Sequence, residues 1–174
     1  LAGWRRGASG RKRARGDVAN GEQTWWRWRL SIQSRRLASP HTLRFHNWYE
    51  TRNNLWLILE YCTGGDLLSL LKQDGRLPEP AVKVFGVDLM TGLQYLHGCG
   101  VLYCDLKPSN VLVDEYGVLK LSDFGLARRI PGSGGSSPNS GAKAPRKRGT
   151  PYYMAPELFL EEGSHSFSSE LWSL

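Results

Sequence analysis

Residues 103–110 read YCDLKPSN and residues 122–127 read SDFGLA. Asp105 is followed by Lys107 and Asn110, and Asp123 comes after two short apolar stretches, Val111–Val113 and Val118–Leu121. Those stretches are separated by Asp114-Glu115-Tyr116-Gly117, a turn sequence, so they read as a small antiparallel strand pair between two polar loops. Two carboxylates, an amide and a lysine on adjacent loops suit one chemistry in particular. Moving a phosphoryl group requires in-line positioning, metal ions that bridge phosphates and positive charge on the migrating oxygens, with little covalent help from the protein. Asp123 and Asn110 offer the hard oxygen ligands that Mg²⁺ prefers. Asp105 is placed to orient an attacking hydroxyl, and Lys107 to supply charge.

Working upstream, residues 81–97 show apolar positions at Val82, Phe85, Leu89, Leu93 and Leu96, the three- and four-residue steps of one buried helical face. Pro78-Glu79-Pro80 marks the start of that helix, and Gly98 and Gly100 its end. Before it, Asp66 leads a short helix to Leu71 after Thr63-Gly64-Gly65. Residues 42–50 and 55–61 are rich in aromatic and branched residues and are separated by Thr51-Arg52-Asn53-Asn54, which predicts an antiparallel hairpin. Trp48, Trp56 and Trp172 read as core residues, and the four histidines, without Cys or His at ligand spacing, read as structural rather than metal-binding.

Downstream, GTPYYMAPE occupies residues 149–157. The ordered set D-L-K-P-x-N, D-F-G and G-T-P-x-Y-M-A-P-E resembles that of the serine/threonine protein kinases. The resemblance implies an α+β, bilobal protein-kinase-like fold, here truncated at both ends, with a partial small-lobe sheet and a partial helical lobe. It implies ATP and Mg²⁺ as cofactors and a protein as substrate. Carried over residue by residue, it makes Asp105, Lys107 and Thr150 catalytic and Asn110 and Asp123 metal ligands. Leu59 becomes the gatekeeper; Glu60, Tyr61 and Cys62 the hinge facing adenine; Asp66 a ribose contact; and Leu112 the floor beneath the base. Phe124 would pack between the lobes, and Ala155-Pro156-Glu157 would anchor the activation segment. Lys107 and Thr150 favour serine/threonine over tyrosine. The wording from Trp48 to Asp66, with YCDLKPSNVLVDE and HSFSSELWSL, resembles the Fused-related kinases of the plant Runkel branch and its animal counterpart. That branch implies microtubule-associated partners and a cytoplasmic, cytoskeleton-associated setting.

The chain departs from the kinase pattern at several points. The usual H-R-D is Tyr103-Cys104-Asp105, so the arginine that pairs with a loop phosphate is replaced by a thiol with no charge to offer. Activity is therefore expected not to depend on phosphorylating the activation segment. The null charge of Cys104 fits a small buried thiol. Neither a glycine-rich phosphate loop nor a strand like V-A-I-K precedes the hairpin, so this polypeptide is expected to hold ATP weakly. The aspartate that normally braces the catalytic loop is Glu170. These departures raise the competing reading of a pseudokinase scaffold that docks partners without turnover.

The chain has 174 residues, long enough for one domain but short of the roughly 250 that both kinase lobes occupy. Its net charge of +7 is uneven, because residues 1–44 carry 11 Lys/Arg against 2 Asp/Glu and the remainder 12 against 14. Residues 1–39 thus read as a basic, Arg/Trp-rich segment, disordered or foreign to the domain, and residues 40–174 as the partial kinase domain. The basic tail alone speaks for nucleic acid, and that reading is set aside. No run approaches the 18 to 20 or so apolar residues of a membrane span. Cys62, Cys99 and Cys104 are too few and too irregularly spaced for a disulfide framework. Residues 130–148, rich in Gly, Ser, Pro and basic residues, read as a mobile loop.

Overall fold

The hydrophobic helix centred on Leu93 and Leu96 organises everything that follows it. A computed structural model describes residues 5–6, 12–14, 38–52, 54–129 and 148–174. In chain order these form strands β1 (Arg5–Arg6), β2 (Lys12–Ala14), β3 (Phe45–Thr51) and β4 (Asn54–Leu59), then helices α1 (Leu67–Asp74) and α2 (Glu79–Gly98). Strands β5 (Val101–Leu102), β6 (Val111–Val113), β7 (Leu119–Leu121) and β8 (Arg128–Arg129) follow, and helix α3 (Phe167–Trp172) closes the described chain. Short 3₁₀ turns lie at Pro108–Asn110, Pro151–Tyr153 and Pro156–Phe159.

The arrangement is α+β, a small sheet followed by a helical part. The described sheet has the order β1-β2-β4-β3, all antiparallel, and β2 pairs with β4 through Lys12↔Leu57, Arg13↔Trp56 and Ala14↔Leu55. Two short strands from within residues 1–39 thus lie on this sheet; residues 1–4, 7–11 and 15–37 are outside the described ones. Likewise, residues 130–147 of the expected mobile loop fall outside them, and Arg148 within.

The β3–β4 hairpin is present, tighter than expected: Thr51 pairs with Asn54, so the four-residue break shrinks to a two-residue loop. Its first strand starts at Phe45, because Thr42 instead forms a parallel bridge to Leu121, with Leu43 N–H donating to Leu121 O at 2.8 Å. Trp48 and Trp172 correct the sequence reading, since both are exposed, the latter at 63%. Trp48 sits on a strand whose residues beyond Phe45 are exposed, and Trp172 on the outer side of the six-residue α3. Trp56 stacks on Tyr49 across the hairpin, centroids 5.6 Å apart.

Helix α1 starts at Asp66, whose Oδ1 accepts from Ser69 N at 2.9 Å, and runs to Asp74, a turn of chain beyond the expected end at Leu71. Helix α2 begins behind Pro78 with Pro80 in its first turn, where a missing N–H costs nothing. Leu93 and Leu96 are buried and Phe85 and Leu89 partly so, but Val82 is exposed, against expectation. The cause is where the helix finds cover. β7 and β5 pack against α2, and Asp88 Oδ2 accepts from Leu119 N at 2.9 Å, so the turns before Asp88 run past the hairpin.

The core joins Leu93 and Leu96 to Val101, Tyr103, Leu106, Val111, Leu119, Leu121 and Phe124. It therefore lies directly beneath both polar loops, which project from buried ends of β5 and β7. The segment before β3 is strapped to the same core: Ala38 N donates to Tyr95 Oη at 2.8 Å, and Leu121 N to His41 O at 2.9 Å. No helix among the described residues is long and apolar enough to cross a membrane.

Candidate active site

Val111 and Leu121 pair across the β6–β7 hairpin, as do Val113 and Leu119, and this ladder sets the distance between the two loops. The turn is closed by Asp114, whose Oδ1 accepts from Tyr116 N and Val118 N, both at 2.9 Å. At the far end of the hairpin the 103–110 loop doubles back. Asn110, only 6% exposed, donates from Nδ2 to Asp105 O at 3.0 Å and Asp105 Oδ2 at 2.9 Å. Ser122 N and Oγ both donate to Asn110 O at 2.8 Å, which joins the second loop to the first.

Around Asp105 three donors converge. Thr150 Oγ1 donates to Oδ1 at 2.8 Å, and Lys107 Nζ lies 2.8 Å from Oδ2 and 2.7 Å from Thr150 Oγ1. With Asn110, three of the roughly four acceptor positions of a carboxylate are taken, which leaves room for one further donor on Oδ1. Thr150 arrives from a distant stretch because Gly149 can approach the loop. Gly149 has φ 132°, and a Cβ there would stand 2.9 Å from Cys104 O.

Among the described residues two non-glycine positions hold left-handed backbone, Cys104 (φ 65°) and Asp123 (φ 50°), and each adjoins or supplies a carboxylate of the site. Cys104 is held from outside the loops. Glu170 Oε1 accepts from Cys104 N at 2.5 Å and its Oε2 lies 2.7 Å from His97 Nε2, with Glu170 only 4% exposed. So Glu170, which stands where the kinase pattern has a bracing aspartate, braces the catalytic loop despite that departure, with His97 as its second partner. Tyr103, fully buried, sends its hydroxyl to Ser122 O and stands edge-on to Phe124, centroids 5.4 Å apart. Burial, then the nearby Asp123, Asp105 and Glu170 carboxylates, hold the Tyr103 phenol well above its usual pKa. Cys104 is the buried thiol expected. Burial and then Glu170 push it up to about 12, against the lowering effect of the adjacent Arg128 guanidinium. Arg128 is a neighbour that sequence reasoning did not find, since strand β8 reaches β5 only through tertiary pairing.

Asp123 Oδ1 accepts from Gly125 N at 3.1 Å. Asn110 commits its amide nitrogen to Asp105, which turns its carbonyl oxygen away from that carboxylate. Among the described residues no group of three or more His, Cys, Asp or Glu is placed to hold a metal ion. One carboxylate and one amide oxygen fit Mg²⁺, which keeps much of its water and is commonly shared between one or two protein oxygens and substrate phosphates.

On the other side of β6, Leu59 ends β4 and Glu60, Tyr61 and Cys62 continue the chain. Gly64 then lies against β6, donating to Val113 O at 3.0 Å, while Val113 N donates to Gly65 O at 2.9 Å and Asp66 bridges Leu112. A Cβ on Gly64 would meet Val113 Cβ at 2.8 Å, so this close crossing needs glycine. Cys62 is buried, and burial followed by Glu60 raises its thiol to about 11. Asp66 directs its carboxylate to Ser69 N and Oγ, both 2.9 Å. The structure thus gathers Asp105, Lys107, Asn110 and Thr150 into one cluster with Asp123 on the adjoining loop, and brings Leu112 beside the 62–66 segment. It also shows a buried lysine, Lys120, that the sequence reading missed. The available signal was a charged residue inside the apolar strand VLKL.

A family model described as "Protein kinase domain" matches residues 22–174. The chain is 54% identical over 138 residues to the serine/threonine-protein kinase RUNKEL of Arabidopsis thaliana, covering 79% of this chain and 10% of that protein. It is 44% identical over 154 residues to the serine/threonine-protein kinase ULK4 of Mus musculus, covering 79% of this chain and 12% of the relative. With mitogen-activated protein kinase kinase kinase 3 of Arabidopsis thaliana the identity is 36% over 140 residues, 80% of this chain and 21% of the relative. The chain therefore spans between a tenth and a fifth or so of the length of these curated relatives.

Proposed function

We propose, for a chain that belongs to the protein kinase family and within it to the Runkel and Fused-related serine/threonine type, that the parent protein transfers the γ-phosphoryl group of ATP to serine or threonine hydroxyls of proteins. The observation that carries this reading is the Asp105 cluster. Its carboxylate is held by Thr150, Lys107 and Asn110 yet keeps one acceptor position on Oδ1 for an incoming hydroxyl. Asp105 aligns that hydroxyl and takes its proton as the oxygen attacks. Lys107, 2.8 Å from Asp105, keeps positive charge where the migrating phosphoryl oxygens gather. Asn110 and Asp123 are the residues that would hold Mg²⁺, which neutralises developing charge on the phosphates when bound. The 60–62 stretch and Leu112 form the candidate seat for the base. Microtubule-associated partners and a cytoplasmic, cytoskeleton-associated setting are proposals supported by the family branch alone.

Titration calorimetry with Mg-ATP and phosphate transfer to serine and threonine peptides, both on the parent protein, test the reading. Wild type is expected to bind and transfer, Asp123→Asn to lose affinity that depends on Mg²⁺, and Asp105→Asn to bind without transferring. Equal Mg-ATP affinity in wild type and Asp123→Asn overturns the metal assignment. Binding without transfer in wild type replaces the enzyme with a pseudokinase scaffold, the reading that Cys104 favours by withholding a charged partner from a loop phosphate.

A further inference from the structure

Lys120 is a buried charged side chain with no part in the chemistry above. It lies on β7 between Leu119 and Leu121, and all three are buried. Its Nζ reaches oxygens on three separate stretches of chain: Glu60 Oε1 at 2.9 Å, Pro40 O at 3.0 Å and Asp114 Oδ2 at 3.7 Å. Glu60 is gripped from the other side as well, since its Oε2 accepts from Arg44 N and its own N–H donates to Arg44 O, each at 2.9 Å. Burying an ammonium group is costly unless several oxygens receive it, so a lysine with three such partners is held in one geometry.

The place of these partners gives the arrangement its meaning. Glu60 is the first residue after β4, where the chain leaves the small sheet. Lys120 is the ladder partner of Leu112, and β7 runs on through Ser122 to Asp123. One side chain therefore links the stretch that would face the base, the strand that would lie beneath it and the segment before β3. Without it, the carboxylates of Glu60 and Asp114 would share a partly buried space with no cation between them. We propose that Lys120 is a positioning residue for the nucleotide, setting the spacing between residues 60–62 and Leu112. The inference rests on reading this cleft as the nucleotide seat, and it assigns Lys120 no contact with ATP.

Two measurements keep the two readings apart: hydrogen exchange at the Glu60 amide of the full chain without nucleotide, and affinity of the parent protein for a fluorescent ATP analogue. Lys120→Met is expected to speed exchange at Glu60 and to weaken the analogue by about tenfold, the scale of one coupled buried pair. Lys120→Arg, which keeps the charge, should restore both. Glu60→Gln should move both in the same direction, and the double variant should be no worse than Lys120→Met alone. A folded Lys120→Met with wild-type exchange at Glu60 overturns the proposal. If Lys120→Met fails to fold, Glu60→Gln decides, and unchanged exchange there overturns it equally. Wild type that does not bind the analogue overturns the nucleotide reading, while the exchange rates still decide whether Lys120 holds Glu60.

Discussion

Replacing Glu170 by alanine removes, in one change, the brace behind the catalytic loop. Glu170 is 4% exposed and serves two elements, accepting from Cys104 N through Oε1 and meeting His97 Nε2 at 2.7 Å through Oε2. In Glu170→Ala the Cys104 N–H and the His97 ring nitrogen both lose their partner in a closed space. A buried polar group left unsatisfied costs about 1 to 3 kcal/mol, and two such groups lose their partner here. Cys104 also sits at φ 65°, a conformation that the hydrogen bond to Glu170 helps to hold. A total loss of about 4 kcal/mol is thus expected, a large share of the 5 to 15 kcal/mol or so that folded domains possess. In a thermal melt of a chain this long that is a fall of roughly 10 °C. Glu170→Gln keeps an acceptor for Cys104 N and should lose about 1 to 2 kcal/mol. Urea unfolding followed by circular dichroism gives the numbers. A Glu170→Ala variant less than about 1 kcal/mol below wild type, with unchanged m, would show that the loop is held by other means and that the bracing argument is wrong.

Two further outcomes follow from the site. Thr150→Val deletes the donor to Asp105 Oδ1 and the acceptor of Lys107 while keeping shape; in the parent protein kcat should fall by about ten- to a hundredfold with ATP affinity little changed, as steady-state kinetics and titration would report. Exposed Cys99 should be alkylated first in the native chain, since burial raises the Cys62 thiol to about 11 and the Cys104 thiol to about 12; peptide mapping after brief iodoacetamide treatment at pH 8 would show otherwise if the buried pair reacted as fast. The same shifts set the alkaline limit. Both folded thiols hold their protons more tightly than an unfolded thiol at 9.0, so their contribution is complete below pH 9 and is lost as pH rises toward about 11 and 12.

Much of this molecule is legible without coordinates, because the decisive features are local. The hairpin at 45–59, the proline-started helix from Glu79 and the strand pair around Asp114–Gly117 each follow from periodicity and turn chemistry within a few residues. The order of the three motifs points to the family on the same local terms. What the sequence could not decide were relations between distant residues. Val82 carries the helical period as well as Leu89 does, yet its exposure depends on how far along α2 the hairpin reaches. Trp48 and Trp172 are apolar enough for a core, but whether a neighbour covers them is a question of packing. Lys120 is one charged residue in VLKL by sequence, and Glu60, Pro40 and Asp114 reach it from 60, 80 and 6 residues away only in the fold. The Asp105–Thr150 contact likewise closes over 45 residues. Periodicity determines which face of an element is apolar; only the tertiary structure decides what that face meets, because burial and ion pairing are properties of two surfaces and a sequence window contains one.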